Sequence, residues 1–287
     1  MGLTFGLGAA LCWGFADIFA ALASRRIGAL RVVLSFHVVA TVLLVALAIA
    51  TDALSGVTWQ DVLPFVGLGV VGWLSYLAFY GALAIGPISV VSPIVSGYAA
   101  VTVLLAVVII GERLSLPETA AIVVIMGGVM LASADVRGAV SATLRPEAIS
   151  GLLLAIVAMG LLGGFVFGVA YYQSELGWLA PIVLGRAFTL LFLMGHATLT
   201  RQLRWPQRTP GLLWSILFLA LVDTGGYVLF NVGVGVADTA IVAAASAPYA
   251  LVPIVMGVFL LAERPTGLQW VGVVLVIAGI LGLGIAA

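Results

Sequence analysis

The chain has 287 residues, of which 64% are hydrophobic and 8% are charged, and its formal net charge is zero. Soluble domains carry roughly 25% charged residues, so this composition excludes a water-soluble fold and indicates a protein whose solvent is lipid. The few basic residues are all arginines and form no basic patch, which predicts no nucleic-acid partner.

Ten apolar segments are long enough to cross a bilayer. A span needs about 20 apolar residues because the hydrocarbon core is about 30 Å thick, and inside lipid only helices satisfy their own backbone groups here. The sequence therefore predicts an all-α integral membrane protein. Its spans cover roughly residues 3–23, 31–51, 62–85, 88–110, 116–134, 149–172, 178–199, 210–235, 239–261 and 267–286.

The chain contains one long stretch twice. Residues 76–113 align without a gap on residues 227–264, and a constant offset over such a length indicates a duplication. The matched positions include Tyr76 and Tyr227, Phe79 and Phe230, Tyr98 and Tyr249, and Glu112 and Glu263.

The duplication predicts two halves of opposite orientation. We expect a first five-helix repeat over 1–135, a linker over 136–148 and a second repeat over 149–287. Because each half holds an odd number of spans, the second half enters the membrane upside down. Such inverted repeats place a substrate site near the midplane, between the halves.

The motifs that close the repeats resemble those of a known family. Gly111-Glu112-Arg113 and Ala262-Glu263-Arg264 end the fourth and ninth spans, and Gly-rich spans follow each of them. The whole chain resembles the EamA type of the drug/metabolite transporter superfamily. That resemblance implies a secondary carrier of small metabolites, with amino acids or related compounds the leading substrates and export the leading direction.

An arginine is often found early in the second span of each half in such proteins. The second half has it as Arg186, within V-L-G-R-A-F. The first half reads V-L-S-F-H at the matching place, with His37 one position further on. The family role of this arginine therefore carries over to Arg186 alone.

Charged groups within spans cost about 2.5–3.5 kcal/mol each to insert, so each needs a reason. One interpretation is that Arg186 and Asp223 form a structural ion pair. The other is that one of them faces the cavity and contacts a charged group of the substrate or a proton. Asp17 and His37 are candidates for coupling. The alternatives are a hydrated position near the interface for Asp17 and a hydrogen-bonded packing role for His37.

Polar and aromatic residues of the spans complete the predicted cavity. Serines of the fourth span share a helical face beside Pro93, which removes one backbone hydrogen bond; bonding back to their own helix is the alternative. Packing across helices is the alternative for the tyrosines. The candidate substrate-binding residues are Trp13, Tyr76, Tyr80, Ser92, Ser96, Tyr98, Arg186, Asp223, Tyr227, Asn231 and Tyr249.

Other residues are predicted to be structural. Glu112 and Glu263 are expected to cap neighbouring helix N-termini or to pair locally. Small residues at a spacing of four allow close helix packing. These rows are Gly6, Ala10 and Gly14 in the first span, and Gly160, Gly164 and Gly168 in the sixth.

Loop arginines predict the orientation. Nine of the ten lie on one side, Arg113 being the exception, so the positive-inside rule places both termini outside a cell (inner) membrane of bacterial type. No catalytic, metal-binding or nucleotide-binding motif is present, which predicts no enzyme activity, cofactor or metal. The expected partners are the bilayer and a small-molecule substrate, with the chain a monomer or weak homodimer. A polytopic membrane enzyme and a channel are the alternatives.

Overall fold

The computed structural model describes residues 1–86, 88–132, 146–202, 210–253, 255–256 and 266–286. Helices make up nearly all of this part, and no strand occurs in it. In chain order the helices are α1 (Gly2–Ile27), α2 (Ala29–Ala50), α3 (Trp59–Ile85), α4 (Ile88–Ser96), α5 (Tyr98–Leu105), α6 (Leu116–Ala132), α7 (Pro146–Tyr171), α8 (Gln173–Leu176), α9 (Ala180–Leu199), α10 (Pro210–Val234), α11 (Thr239–Ser246) and α12 (Gly267–Ala286).

These helices form the ten predicted spans. Eight helical segments of the described residues have the length and apolarity to cross a membrane, and two shorter apolar helices, Leu116–Ala132 and Thr239–Pro253, are the fifth and ninth spans. The fourth span consists of α4, α5 and a π-helical turn, Ala106–Ile110. The chain is thus an all-α membrane protein of ten helices.

Helix packing shows that the two halves are related by a twofold exchange. The first span α1 packs on α10 and α11, and its counterpart α7 packs on α3 and α5. Likewise α2 contacts α10 while α9 contacts α3, and the two closing helices α6 and α12 pack on each other. These contacts between the halves occur in equivalent pairs, as two inverted five-helix repeats require.

The fourth and ninth spans are both interrupted at the position that precedes the matched tyrosines. Helix α4 ends at Ser96, and α5 begins at Tyr98 after Gly97. Helix α11 ends at Ser246, and a 3₁₀ turn, Ala247–Ala250, carries Pro248 and Tyr249. Both spans are therefore broken beside the matched tyrosines, at Gly97 in the fourth span and over the turn that carries Pro248 in the ninth.

Glycines set the closest approaches between the halves. A Cβ atom added at Gly14 would lie 2.6 Å from the carbonyl oxygen of Tyr249, and one added at Gly163 would lie 2.8 Å from that of Tyr98. The two contacts are equivalent under the twofold exchange. In the predicted row of the sixth span, by contrast, Gly160 and Gly164 have nothing within 4 Å of an added Cβ. The third member, Gly168, does pack on the other half, since an added Cβ would overlap the side chain of Leu68. The α7 glycine that approaches the backbone of the other half is Gly163, next to the predicted Gly164.

Glu112 joins the two halves at one end of the bundle. Its carboxylate accepts hydrogen bonds from the backbone N–H groups of Thr239 and Ala240, at 2.8 and 2.9 Å. These N–H groups belong to the first turn of α11, where they lack helical partners and a carboxylate is favoured by the helix dipole. The predicted capping role of Glu112 is confirmed; Glu263 lies outside the described residues.

Replacing Glu112 by Gln should lower stability and leave substrate affinity unchanged. The amide keeps one acceptor and loses the charge, so one of two charge-assisted bonds is lost. Loss of a helix cap costs about 0.5–2 kcal/mol. Thermal unfolding of purified protein would measure the first effect, and substrate binding the second. A stable variant that no longer binds substrate would contradict the capping role.

Candidate functional site

A cavity lies at the centre of the bundle, where the two halves meet. Its volume, counted as the space open to the centre of a water molecule, is about 40 Å³. Aromatic side chains and two carboxylates dominate the walls. The lining residues are Trp13, Ala16, Asp17, Tyr76, Phe79, Tyr80, Tyr98, Leu162, Val166, Asp223, Tyr227 and Tyr249.

Tyrosines matched by the duplication meet in this cavity. The hydroxyl of Tyr76 donates to that of Tyr227 at 3.3 Å, and the rings of Tyr98 and Tyr249 have centroids 6.1 Å apart. Residues related by a twofold axis approach one another only close to that axis. The axis that relates the halves therefore passes through the cavity.

The hydroxyls of Tyr98 and Tyr249 each bond across to the opposite half. The hydroxyl oxygen of Tyr98 lies 2.6 Å from the Oγ of Ser246. The Ser246 hydroxyl itself donates to the carbonyl oxygen of Ala243. The tyrosine is therefore the donor. The hydroxyl of Tyr249 donates to the carbonyl oxygen of Ser92 at 3.3 Å. Both protons are used within the protein, and each oxygen keeps its lone pairs as acceptors.

Trp13 forms one wall from α1. Its indole makes edge contacts with Tyr98 and Tyr227, with centroids 5.9 and 5.2 Å away. Glycine on α10 makes room for it, because a Cβ at Gly226 would lie 2.5 Å from the indole nitrogen. That buried nitrogen has no hydrogen-bond partner among the described residues.

Asp17 lies one helical turn beyond Trp13, on the same face of α1. Its side chain is buried, with 4% of the residue exposed. The hydroxyl of Ser92 on α4 donates a hydrogen bond to its carboxylate. In the described part of the chain the single salt bridge is that of Arg186 with Asp223, so Asp17 has no cationic partner there.

Arg186 on α9 and Asp223 on α10 form a buried ion pair. The Arg186 guanidinium also lies over the ring of Tyr227, 4.4 Å from its centroid, and over that of Tyr76, at 5.3 Å. Such cation–π contacts are favourable where water is excluded. Of the pair, Asp223 reaches the cavity wall, whereas Arg186 lies behind it.

His37 on α2 supports Arg186. Its Nδ1 lies 3.0 Å from the carbonyl oxygen of Val33, and its Nε2 lies 3.3 Å from a guanidinium nitrogen of Arg186. A carbonyl only accepts and a guanidinium only donates. The ring must therefore carry its proton on Nδ1 and accept at Nε2, which is the neutral form. Both ring nitrogens are occupied in this arrangement.

The structure thus places eight of the predicted residues on the cavity wall and five elsewhere. Besides Arg186 and His37, Ser92 lies beside the wall and bonds to Asp17. Ser96 donates to the carbonyl oxygen of Pro93 at 2.6 Å. The side-chain amide of Asn231 donates to the carbonyl oxygen of Tyr227 at 2.9 Å. The last two bond back to their own helices, the alternative considered for serines in spans.

Four lining residues were not predicted: Ala16, Phe79, Leu162 and Val166. Ala16 precedes Asp17, and Phe79 is matched in the duplication by Phe230, which was a usable signal. Leu162 and Val166 on α7 occupy the places that Trp13 and Asp17 occupy on α1, since Gly163 and Gly14 are equivalent. Nothing in their apolar side chains distinguishes them from lipid-facing residues.

Ten helices in two inverted halves, with a polar and aromatic cavity on their common axis, define a membrane transporter. The sequence profile of the EamA-like transporter family matches residues 1–134 and 149–285. The chain therefore belongs to the EamA-like transporter family, within the drug/metabolite transporter superfamily.

One solved structure shows the same fold over the whole chain. It is described only as the crystal structure of a protein, is 16% identical in sequence and superposes with a TM-score of 0.74. The likeness covers 99% of this chain and 96% of that one. Among curated proteins, no significant match was found.

Proposed function

We propose that the chain carries a small metabolite across the membrane by alternating access, with the two halves rocking around the central cavity. The observation that carries this proposal is the position of the cavity on the axis between the inverted halves. A ligand there contacts equivalent residues of both halves, so one binding site can serve both openings.

The cavity favours an amphipathic substrate. Rings of Trp13, Tyr98 and Tyr249 offer apolar faces, while Asp17 and the tyrosine oxygens offer polar contacts. Amino acids and related compounds combine both properties and are the leading candidates, with export the expected direction. This assignment rests on the chemistry of the cavity and on the family.

Counterflow in proteoliposomes tests the proposal. Vesicles loaded with excess unlabelled substrate should accumulate labelled substrate transiently, and the initial rate should saturate with concentration. A carrier exchanges its substrate in this way, whereas a channel only lets label equilibrate. A membrane enzyme would release a chemically altered product. Label that equilibrates without overshoot, or emerges modified, would contradict alternating access.

Removing one tyrosine hydroxyl should weaken substrate binding. Tyr98 and Tyr249 line the cavity and their oxygens keep lone pairs, so Tyr98→Phe and Tyr249→Phe each remove one acceptor and keep the ring. One hydrogen bond is worth about 0.5–1.5 kcal/mol, and we expect a loss of substrate affinity of that size. The readout is transport at subsaturating substrate. Normal rates in both variants would leave the hydroxyls a packing role alone.

The orientation is also a proposal. We infer that both termini lie outside the cell (inner) membrane, because nine of the ten loop arginines lie on the opposite side. A C-terminal reporter that is active only in the cytoplasm should then be silent, and the same reporter in the loop between α2 and α3 should be silent too. Strong activity of the C-terminal fusion would show that the C-terminus lies in the cytoplasm, which contradicts this orientation.

The assembly we propose is simple. The repeats extend over 1–135 and 149–287 with 136–148 as linker, as predicted from the sequence. The protein acts as a monomer or weak homodimer in the bilayer, without a cofactor, on a small-molecule substrate. Equilibrium sedimentation in detergent would measure the oligomeric state.

A further inference from the structure

The carboxylate of Asp17 lacks the partners that a buried charge requires. An ionised carboxylate removed from water needs a cation or several donors. Within the described residues it receives one side-chain hydrogen bond, from Ser92. Arg186, the buried cation, is already paired with Asp223, and the neutral His37 brings no charge.

The charges around the cavity do not balance. Two carboxylates, Asp17 and Asp223, face one guanidinium, Arg186. With both acids ionised, the site carries one uncompensated negative charge. That charge belongs to Asp17, because Asp223 is held by its ion pair.

The polar groups near Asp17 present acceptors. The hydroxyl protons of Tyr98 and Tyr249 are donated to Ser246 and to the Ser92 carbonyl, and the Ser92 hydroxyl proton goes to Asp17. Apart from the indole N–H of Trp13, which has no partner among the described residues, these groups offer a ligand oxygen lone pairs. A ligand that matches them brings several N–H donors, as an ammonium group does.

The rings around the carboxylate suit the same ligand. Trp13 shares the Asp17 face of α1, and Tyr98 and Tyr249 complete the wall. Aromatic faces attract cations, and groups of such rings recognise ammonium ligands. The protein already uses Tyr227 in this way, with the Arg186 guanidinium 4.4 Å from its centroid.

We propose that Asp17, with Trp13, Tyr98 and Tyr249, forms a subsite for the ammonium group of the substrate, so that the protein selects organic ammonium ions over neutral and anionic analogues. The subsite rests on the proposed function, since it names the substrate class of the same cavity. The apolar positions opposite Asp17, Leu162 and Val166, receive the uncharged part of the molecule.

Three probes of one skeleton test this selectivity on the purified wild-type protein. They are phenethylamine, which is protonated at neutral pH, 2-phenylethanol, which is neutral, and 3-phenylpropionate, which is anionic. Calorimetric titration should give an affinity for phenethylammonium at least tenfold above that for 2-phenylethanol, with 3-phenylpropionate weaker still. Equal affinity for the three, binding of only the neutral or anionic probe, or no binding of any probe would overturn the subsite.

Two variants then assign the selectivity to Asp17. Asp17→Asn should reduce the preference for phenethylammonium over 2-phenylethanol to within about threefold. Asp61→Asn makes the same chemical change at the exposed first turn of α3, where Asp61 accepts from Thr58, and should keep the preference. A preference retained in Asp17→Asn would overturn the assignment. Should that variant not fold, the wild-type probe series decides.

The outcomes separate the subsite from the transport proposal. Counterflow of an amino acid together with no ammonium preference would overturn the subsite and leave the transporter standing. A preference for phenethylammonium that depends on Asp17, found without counterflow of any amino acid, would support the subsite and contradict amino-acid transport.

Discussion

Replacing Asp223 by Asn is expected to destabilise the protein by about 3–5 kcal/mol, the largest loss from any single change considered. Arg186 is 1% exposed, and Asp223 neutralises it. Without the carboxylate, the guanidinium remains buried and uncompensated, with only His37 and ring faces as partners. Breaking one side of a buried pair costs this much because a bare charge is left behind.

Removing both charges should restore most of that loss. The first half has no charge at the equivalent positions, because Phe36 stands where Arg186 stands in the second half and Gly72 stands where Asp223 does. Denaturation would compare the free energies of unfolding of three variants: Arg186→Met, Asp223→Asn and the double variant Arg186→Met/Asp223→Leu. Stability of the single Asp223→Asn variant close to wild type would show that the ion pair is not structural.

Replacing Gly163 by Ala should cost about 1–3 kcal/mol, the usual range for overpacking. The added methyl group would lie 2.5 Å from the Cβ of Val101 and 2.8 Å from the backbone oxygen of Tyr98. Backbone does not move aside as a flexible side chain does, so α5 and α7 must separate. Gly14→Ala should act alike in the first half.

The neighbouring glycine supplies the matched control. Gly164→Ala makes the same change one residue further along α7, where an added Cβ meets nothing within 4 Å. We expect it to leave thermal unfolding unchanged or slightly raise its midpoint, since alanine favours helix more than glycine does. Equal effects of the two substitutions would show that the α5–α7 contact does not depend on glycine.

Most of the fold could be predicted because lipid imposes simple rules. The fixed thickness of the hydrocarbon core converts apolar runs into spans, and an odd number of spans per repeat determines the inversion. The duplication also paired Tyr76 with Tyr227 and Tyr98 with Tyr249 as equivalent cavity candidates, and the structure brings the members of each pair together. The cost of isolated charges in lipid made an ion pair of Arg186 with Asp223 one of two interpretations, and the structure shows that pair.

The rotation of each helix about its axis could not be predicted as well. In a soluble protein the apolar face marks the core, but in lipid both faces are apolar. The sequence therefore indicated Gly164 where Gly163 makes the contact, and left Leu162 and Val166 unnoticed. The polar side chains of Ser96 and Asn231 bond to carbonyl oxygens of their own helices. A sequence pattern alone does not distinguish this role from a role in substrate binding.

Alternating access requires that the cavity between the halves is the substrate path and opens to either side of the membrane. Ala16 lines the cavity, and Cys12 is the single cysteine, so Ala16→Cys in a Cys12→Ser background places one thiol there. Ala40, fully buried in α2 away from the cavity, gives the control Ala40→Cys.

Labelling with a small membrane-impermeant thiol reagent, in right-side-out and in inside-out vesicles, reads the access directly. We expect Ala16→Cys to react in both preparations and transported substrate to slow that reaction, whereas Ala40→Cys should react in neither. A thiol at position 16 that stays unreactive from both sides, or reacts from one side alone while transport continues, would contradict alternating access.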